Sequence, residues 1–276
     1  MKYKLLTLAP IIAAGTLIKQ NKKLKTTHLD LTFNNLPKNF KNFRIAHVSD
    51  IHCAKIGISD LFFLEKLRKF SPDIIVITGD ILDNYNNDMD IVYNILSQLS
   101  SITPCYFVSG NHELRLLKEY DELKKILKRL NITNLNNTKT YLTKGDEKIC
   151  LVGIEDYNFF KEDELNHREN FKNMLSSLYS KNEFNILLSH RPEKIDLYAK
   201  TNYNLVFSGH AHGGQWQLPF IGGIFSPSQG FFPKYIKGTY IQNKTTLVVS
   251  QGLGNSSFPI RFNNQIELVL VTLNKK

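Results

Sequence analysis

Four short segments of this chain hold side chains that could bind metal ions: Asp50-Ile51-His52, Gly79-Asp80, Gly110-Asn111-His112-Glu113 and Gly209-His210-Ala211-His212. A fifth, Ser189-His190, adds another imidazole. With His112 set aside, the donors are the imidazoles of His52, His190, His210 and His212, the carboxylates of Asp50 and Asp80, and the amide oxygen of Asn111. A mixed nitrogen and oxygen set suits Mn²⁺, Fe²⁺/Fe³⁺ or Zn²⁺ and disfavours Mg²⁺ and Ca²⁺, which prefer oxygen throughout. Two divalent metal ions about 3.5–4 Å apart can generate a metal-bound hydroxide and hold the attacking and leaving oxygens of an in-line displacement at phosphorus. Asp80 follows Gly79 and can bridge two ions with its two oxygens. His112 sits beside a ligand but is spaced to face a substrate, and an imidazole is a natural proton donor to a leaving alkoxide near neutral pH. Glu113 reads as a brace for the start of a helix. His47 reads as core, His28 and His167 as surface residues. Arg191 and Trp216 are candidate substrate contacts. Arg191 can touch a phosphate oxygen or form a salt bridge within its loop.

These residues are useful only if something places them together. Each metal-binding segment directly follows an apolar run, at 44–49, 73–78, 106–109, 185–188 and 204–208. Short β-branched runs bounded by Gly or Pro read as buried strands. Open α/β sheets build their sites from residues just past strand ends. Between the runs, helices are expected near 60–70, 88–100, 113–130 and 161–179, with a short one after Pro192. A strand pair is expected over 138–151 around Gly145-Asp146, and further strands at 239–242, 245–250 and 265–272. This mixture predicts an αββα sandwich of two mixed β-sheets flanked by helices, in four layers.

The chain has 276 residues, 42% of them hydrophobic, enough for one catalytic domain, expected over 43–276. The formal charge is +10, but residues 1–42 carry eight lysines against the single Asp30, a net +7 of that total. The excess is not spread over the folded part, so no nucleic-acid partner is expected. The three cysteines are far apart and beside expected core strands, so they do not form a disulfide framework. Residues 1–42 are expected to be a hydrophobic, signal-like anchor and a basic linker. The apolar run 5–18 is shorter than the ~20 residues of a spanning helix. A short uncleaved anchor, an interfacial segment and a cleaved signal are all compatible with it. Apolar residues next to lysines favour attachment to an anionic membrane surface, with the cytoplasmic face preferred over export. The loop 213–238 is long, apolar and broken by Gly and Pro. It reads as a lid, a wall for a lipid chain or a membrane-contacting flap, or else as aromatics packed back on the core.

The ordered motifs resemble those of the calcineurin-like metallophosphoesterase family over roughly residues 43–272. By matching position, the resemblance implies that Asp50, His52 and His212 hold one ion and that Asn111, His190 and His210 hold the second. Asp80 would bridge the two, and His112 would be the catalytic imidazole. Cys53 stands where a small or apolar residue is expected, which bears on metal preference. The segment from Gly209 to Gln215, with Leu218-Pro219 and Gly252-Leu253-Gly254, looks like the membrane-associated bacterial phosphodiesterase branch. Some relatives of that branch split the pyrophosphate of UDP-2,3-diacylglucosamine. The expected function is hydrolysis of a phosphodiester or pyrophosphate bond at a membrane surface, with a lipid-linked substrate in view. A phosphodiesterase or phosphomonoesterase for soluble nucleotides is the alternative, and a metal-stabilised scaffold a third.

Overall fold

A computed structural model describes residues 23–53, 60–85, 87–162, 166–255 and 260–276. Two six-stranded sheets form its centre. The first contains β1 (Leu24–Phe33), β2 (Phe43–Val48), β3 (Ile74–Thr78), β4 (Cys105–Val108), β5 (Thr133–Asn134) and, far along the chain, β16 (Ile266–Lys275). Their order is β1-β16-β2-β3-β4-β5. The second sheet holds β6 (Thr138–Lys144), β7 (Glu147–Gly153), β8 (Phe184–Leu188), β9 (Leu205–Ser208), β14 (Gly238–Gln242) and β15 (Thr245–Val249). Its order is β14-β15-β9-β8-β7-β6. The strands that end at the candidate metal-binding segments, β2, β3 and β4 in one sheet and β8 and β9 in the other, pair in parallel. Parallel pairing brings their carboxyl ends to one edge.

Strand periodicity explains why the apolar runs are nearly unbroken. In β3, Ile75 and Ile77 face helices, while Ile74 and Val76 face the other sheet. Both faces are buried, so both must be apolar. Between the sheets, Ile45, Val76 and Val108 meet Leu151, Ile186 and Phe207. Outside the first sheet lie α1 (Asp60–Phe70), α2 (Met89–Ser100) and, after the short α3 (Asn111–Arg115), α4 (Leu117–Arg129). They bury Leu67, Leu96 and Leu123. Outside the second sheet, α5 (His167–Leu178) and α6 (Ile195–Thr201) bury Phe171, Leu175 and Tyr198. The layer order is the expected αββα sandwich.

Three expectations change. The basic linker was expected to reach residue 42, but β1 lies within it and pairs with β16 from Leu24↔Ile266 to Phe33↔Lys275. Its alternating burial shows why a lysine-bearing stretch can be an edge strand. The apolar run 5–18 lies outside the described residues. Among those residues no helix is long and apolar enough to cross a membrane. The single helix expected over 113–130 is two, broken at Leu116 (φ −109°, ψ 62°). The break lets α3 aim Asn111 and His112 at the site while α4 packs Tyr120, Leu123 and Leu127 on the sheet. The helix expected from 161 begins at His167, preceded by a 3-10 segment, Tyr157–Glu162.

Candidate metal centre

The five expected strand ends deliver their side chains to one place. His52 Nε2 lies 3.1 Å from His212 Nε2, which is 3.4 Å from Asp50 Oδ1. Asp80 Oδ2 is 4.0 Å from His52 Nε2 and 3.2 Å from His190 Nε2. His190 Nε2 is in turn 3.2 Å from His210 Nδ1. Asp50, His52, Asp80 and His212 thus form one ligand group, and Asp80, His190 and His210 another, with Asp80 common to both. Asn111 is 4% exposed, and its Oδ1 is buried with no hydrogen-bond partner.

The backbone at these positions is held in an unfavourable region. Asp50, His52, Asp80, His210 and His212 all have φ between 45° and 65°. The left-handed region costs a non-glycine residue roughly 1–2 kcal/mol. Five such residues among buried ligands mark a place where the surroundings overrule local preference. The turn out of each strand is what releases Asp50 and His52 from period-2 alternation.

Several contacts hold the turns. Glu113 accepts backbone N–H bonds from Asp80 (2.9 Å), Ile81 (2.8 Å), Leu82 (3.0 Å) and Gly110 (2.7 Å). Its bond from Gly110, the N-cap of α3, braces the helix start as expected, and the other three also tie the end of β3 to the end of β4. Gly79 has φ +82°, and a Cβ there would overlap the backbone of Gly110, so the two turns touch through glycine. Asp80 Oδ1 accepts from the His112 N–H at 2.9 Å. Asp50 accepts from the His210 N–H at 3.0 Å, a bond from one sheet to the other. His190 Nδ1 lies 2.7 Å from the Thr78 carbonyl, which can only accept. The Nδ1 proton is therefore committed, and Nε2 faces the ligand group.

Electrostatics separate these imidazoles. Burial lowers His52 to about 3 and holds His210 and His212 well below the usual imidazole range. They are neutral and able to donate lone pairs. Burial acts the same way on His190, but the Asp80 carboxylate beside it outweighs burial and raises it to about 10. Asp80 is desolvated yet held well below the carboxylate range, chiefly by His190. Burial raises Asp50 to about 6. The donor set fits two divalent cations: seven inward-facing donors of mixed type, buried, with an amide oxygen that no protein group satisfies.

His112 lies at the rim. Its Nε2 is 3.9 Å from Asp80 Oδ2, and its ring stands 4.7 Å from that of His52, edge to face. Asp83, which the motif reading passed over, sits behind both rings, with Oδ1 3.7 Å from His52 Nδ1 and 4.0 Å from His112 Nδ1. Its signal was present as a second carboxylate three residues after Asp80. Asp156 was also missed. It takes Arg191 in a two-point ion pair, 2.7 Å from Nε and 3.0 Å from Nη2. Arg191 thus makes a buried salt bridge and still turns Nη1 toward Ser228 Oγ (2.5 Å) and His210 Nε2 (3.5 Å). Arg261 is fully buried and holds the backbone carbonyls of Gln251 (2.8 Å) and Gly254 beside His212. One arginine within Ile260-Arg261-Phe262 carried no sequence signal.

A cavity of about 650 Å³ opens over the centre. Its floor includes Asp80, Asn111, His112 and His210, its polar side Arg115 and Arg191, and its far wall Trp216, Ile224, Phe225 and Phe231. Trp216 donates its indole N–H to the Ile260 carbonyl at 3.0 Å and takes no part in either ligand group. The 213–238 loop is mixed in burial, and its aromatics Trp216, Phe220, Phe225, Phe231 and Phe232 do not pack back on the core. Gln217, Ser226 and Ile236 are buried, while Phe220, Phe231 and Phe232 are exposed. Cys53 is a buried free thiol that donates to Asn87 Oδ1 at 3.3 Å, and it belongs to no ligand group. His47 is buried core, 2.8 Å from Thr78 Oγ1.

Residues 43–214 match the family model for calcineurin-like phosphoesterases, and the chain belongs to that family. It is therefore a metal-dependent phosphoester hydrolase. The chain is 31% identical over 263 residues to the uncharacterized metallophosphoesterase YkuE of Bacillus subtilis, covering 91% of this chain and 85% of that protein. It is 29% identical to YkoQ of the same organism, covering 96% of this chain and 97% of that one. A Bos taurus relative called "transmembrane protein with metallophosphoesterase domain" is 28% identical over 90% of this chain, which spans only 56% of that relative. Among solved structures, a dimetal phosphatase from Danio rerio aligns with a TM-score of 0.48 at 11% identity, over 84% of this chain and 99% of that one.

Proposed function

We propose that the chain hydrolyses a phosphodiester or pyrophosphate bond with two metal cations, Mn²⁺, Fe²⁺/Fe³⁺ or Zn²⁺, at a membrane surface, on a substrate with an apolar portion. Asp50, His52 and His212 would hold one ion, Asn111, His190 and His210 the other, and Asp80 both. Bound there, the cations supply Lewis-acid chemistry that neutralises phosphoryl charge and makes water nucleophilic near neutral pH. The observation that carries the reading is the position of Asp80 Oδ2, 3.2 Å from His190 Nε2, 4.0 Å from His52 Nε2 and 3.9 Å from His112 Nε2.

The chain's own residues then have distinct tasks. Asp83 Oδ1 lies on the Nδ1 side of His52 and His112, at 3.7 and 4.0 Å, where its charge would favour rings turned with Nε2 toward the cavity. His112 would pass a proton from Nε2 to the leaving oxygen. Arg191, kept rigid by Asp156, would offer Nη1 to a phosphoryl oxygen. The apolar far wall would take the non-phosphate part of the substrate. Glu113 takes no part in the chemistry, because all its acceptor capacity is committed to backbone N–H groups.

Metal-stripped protein reloaded with Mn²⁺, Fe²⁺ or Zn²⁺ should hydrolyse bis(p-nitrophenyl) phosphate in preference to p-nitrophenyl phosphate. His112→Gln should lower diester kcat by about 10²–10⁴-fold while metal content stays at the wild-type level. Preference for the monoester would point to a phosphomonoesterase. Full activity in His112→Gln would remove the proton-donor assignment.

A further inference from the structure

The surface after His212 differs from the rest of the molecule. β10 (Gln217–Leu218) pairs with β11 (Gly222–Gly223), and β12 (Phe225–Ser226) with β13 (Gly230–Phe231), each ladder only two residues long. Large apolar side chains stand uncovered on these hairpins: Phe220 at 109% relative exposure, Phe231 at 74%, Phe232 at 66% and Ile221 at 58%. Hydrogen bonds make the strip continuous. The Phe232 N–H donates to the Ile224 carbonyl at 2.9 Å, and the Ile224 N–H to the Trp216 carbonyl at 2.8 Å. Trp216 in turn bridges to Phe262, another exposed aromatic. Exposed apolar surface of this extent marks an interaction site. Phe220 and Ile221 lie on a protruding turn and not in a groove, a shape suited to insertion into a soft apolar phase.

Charge narrows the partner. The sequence has no carboxylate side chain between Asp196 and Glu267, while Lys234 and Lys237 are exposed beside the hairpins. The amino-terminal part of the chain also joins the fold here. Leu24 pairs with Ile266, and Lys25 Nζ lies 3.3 Å from Glu267 Oε1. Lys237 donates to the Gln217 side chain at the foot of the first hairpin. Glu267 also accepts from the Gln251 N–H at 3.0 Å, and Gln217 donates to Gln251 Oε1 at 3.1 Å, which puts Lys25 in the same neighbourhood as Lys237. Just ahead of Leu24 the sequence carries Lys19, Lys22 and Lys23, and before them the apolar run 5–18.

We propose that the double hairpin of residues 216–232 is a docking surface for an anionic lipid bilayer, with Phe220, Ile221, Phe231 and Phe232 entering the headgroup layer and Lys25, Lys234 and Lys237 lying over anionic headgroups. Aromatic insertion and adjacent cations are the two signals that give stable interfacial binding. Trp216, Ile224, Phe225 and Phe231 also line the cavity over the metal centre. Docking therefore turns the cavity mouth to the headgroup layer, where a phosphorylated amphiphile presents its phosphate. The docking surface stands on exposure and charge and does not depend on the hydrolase reading.

Trp216 is the single tryptophan of the chain and is 42% exposed, so its fluorescence reports on the hairpins directly. The full-length chain would be mixed with vesicles of phosphatidylcholine alone and of phosphatidylcholine with phosphatidylglycerol, each with and without brominated acyl chains. The expected result is sedimentation with the anionic vesicles, a blue shift and bromine quenching of Trp216, all weakened by high salt. The Phe220→Ser/Ile221→Ser variant should lose about tenfold or more in the partition measured by quenching, with metal content and soluble-diester turnover unchanged. Sedimentation without quenching would overturn the proposal, because the amino-terminal segment would then hold the protein alone. Absence of sedimentation would overturn it too, as would a dimer that shields Trp216 without lipid. Quenching in a protein that turns over no diester would leave the docking surface standing and remove the hydrolase reading.

Discussion

At the residue scale, the centre depends on which imidazoles carry protons before metal arrives. His52, His210 and His212 are neutral because burial opposes their charge. The Asp80 carboxylate raises His190 to about 10 and so favours its charged form. A metal ion held by His190 would have to displace that proton, so metal and proton would compete for one nitrogen. Affinity should rise with pH from 6 to 9, by about tenfold per unit for one displaced proton. Below pH 6, protonation of Asp50, raised to about 6, should steepen the fall. Calorimetric titration at pH 8 in two buffers of different ionisation enthalpy should show about one proton released per chain loaded. A pH-independent affinity would mean that Asp80 and His190 are not paired as an ion pair.

The residues that converge on the candidate centre were the most legible part of the sequence, because possible metal donors of specific types recur after apolar runs. Asp83, Asp156 and Arg261 were less so. Asp83 shares a turn with Asp80 and was within reach of a motif reading. Asp156 and Arg261 act through partners distant in sequence, Arg191 and the 251–254 backbone, and such pairing has no local pattern.

At the element scale, the strand ends are legible and the turns after them are not. Residues 44–49 and 73–78 read as strands because their two faces are both buried. Nothing in Asp50-Ile51-His52 announces left-handed backbone at Asp50 and His52, since side-chain packing sets it. The same holds for the break at Leu116, where helix-favouring residues continue on both sides. The edge strand β1 was hidden by the basic stretch before it and by its own Lys25, which is exposed. Gly209 shows how little room these turns have. A Cβ there would overlap Ser49 Oγ and Asp50 Oδ2, where the first sheet meets the second. Gly209→Ala should destabilise the fold by about 1–3 kcal/mol and reduce metal content. Chemical denaturation and metal analysis would check it. An unchanged midpoint and full metal occupancy would contradict that close approach.

At the scale of the whole molecule, the centre joins the carboxyl ends of two sheets. Asp50, His52 and Asp80 follow strands of the first, and His190, His210 and His212 follow strands of the second. Cations held between them would bind the native state alone and stabilise it by about 2.7 kcal/mol per site at a free concentration one hundred times Kd. Removal of metal should therefore lower Tm. The αββα layering was legible from alternating strand and helix patterns. The pairing of β1 with β16 across the length of the chain was not, because long-range register leaves no mark on local sequence. The central claim is a centre of two ions that share Asp80, and the most direct measurement is the number of metal ions bound per chain. Equilibrium dialysis followed by elemental analysis should give two for the wild type and a loss at both positions for Asp80→Asn. One ion in the wild type, or two retained in Asp80→Asn, would contradict it.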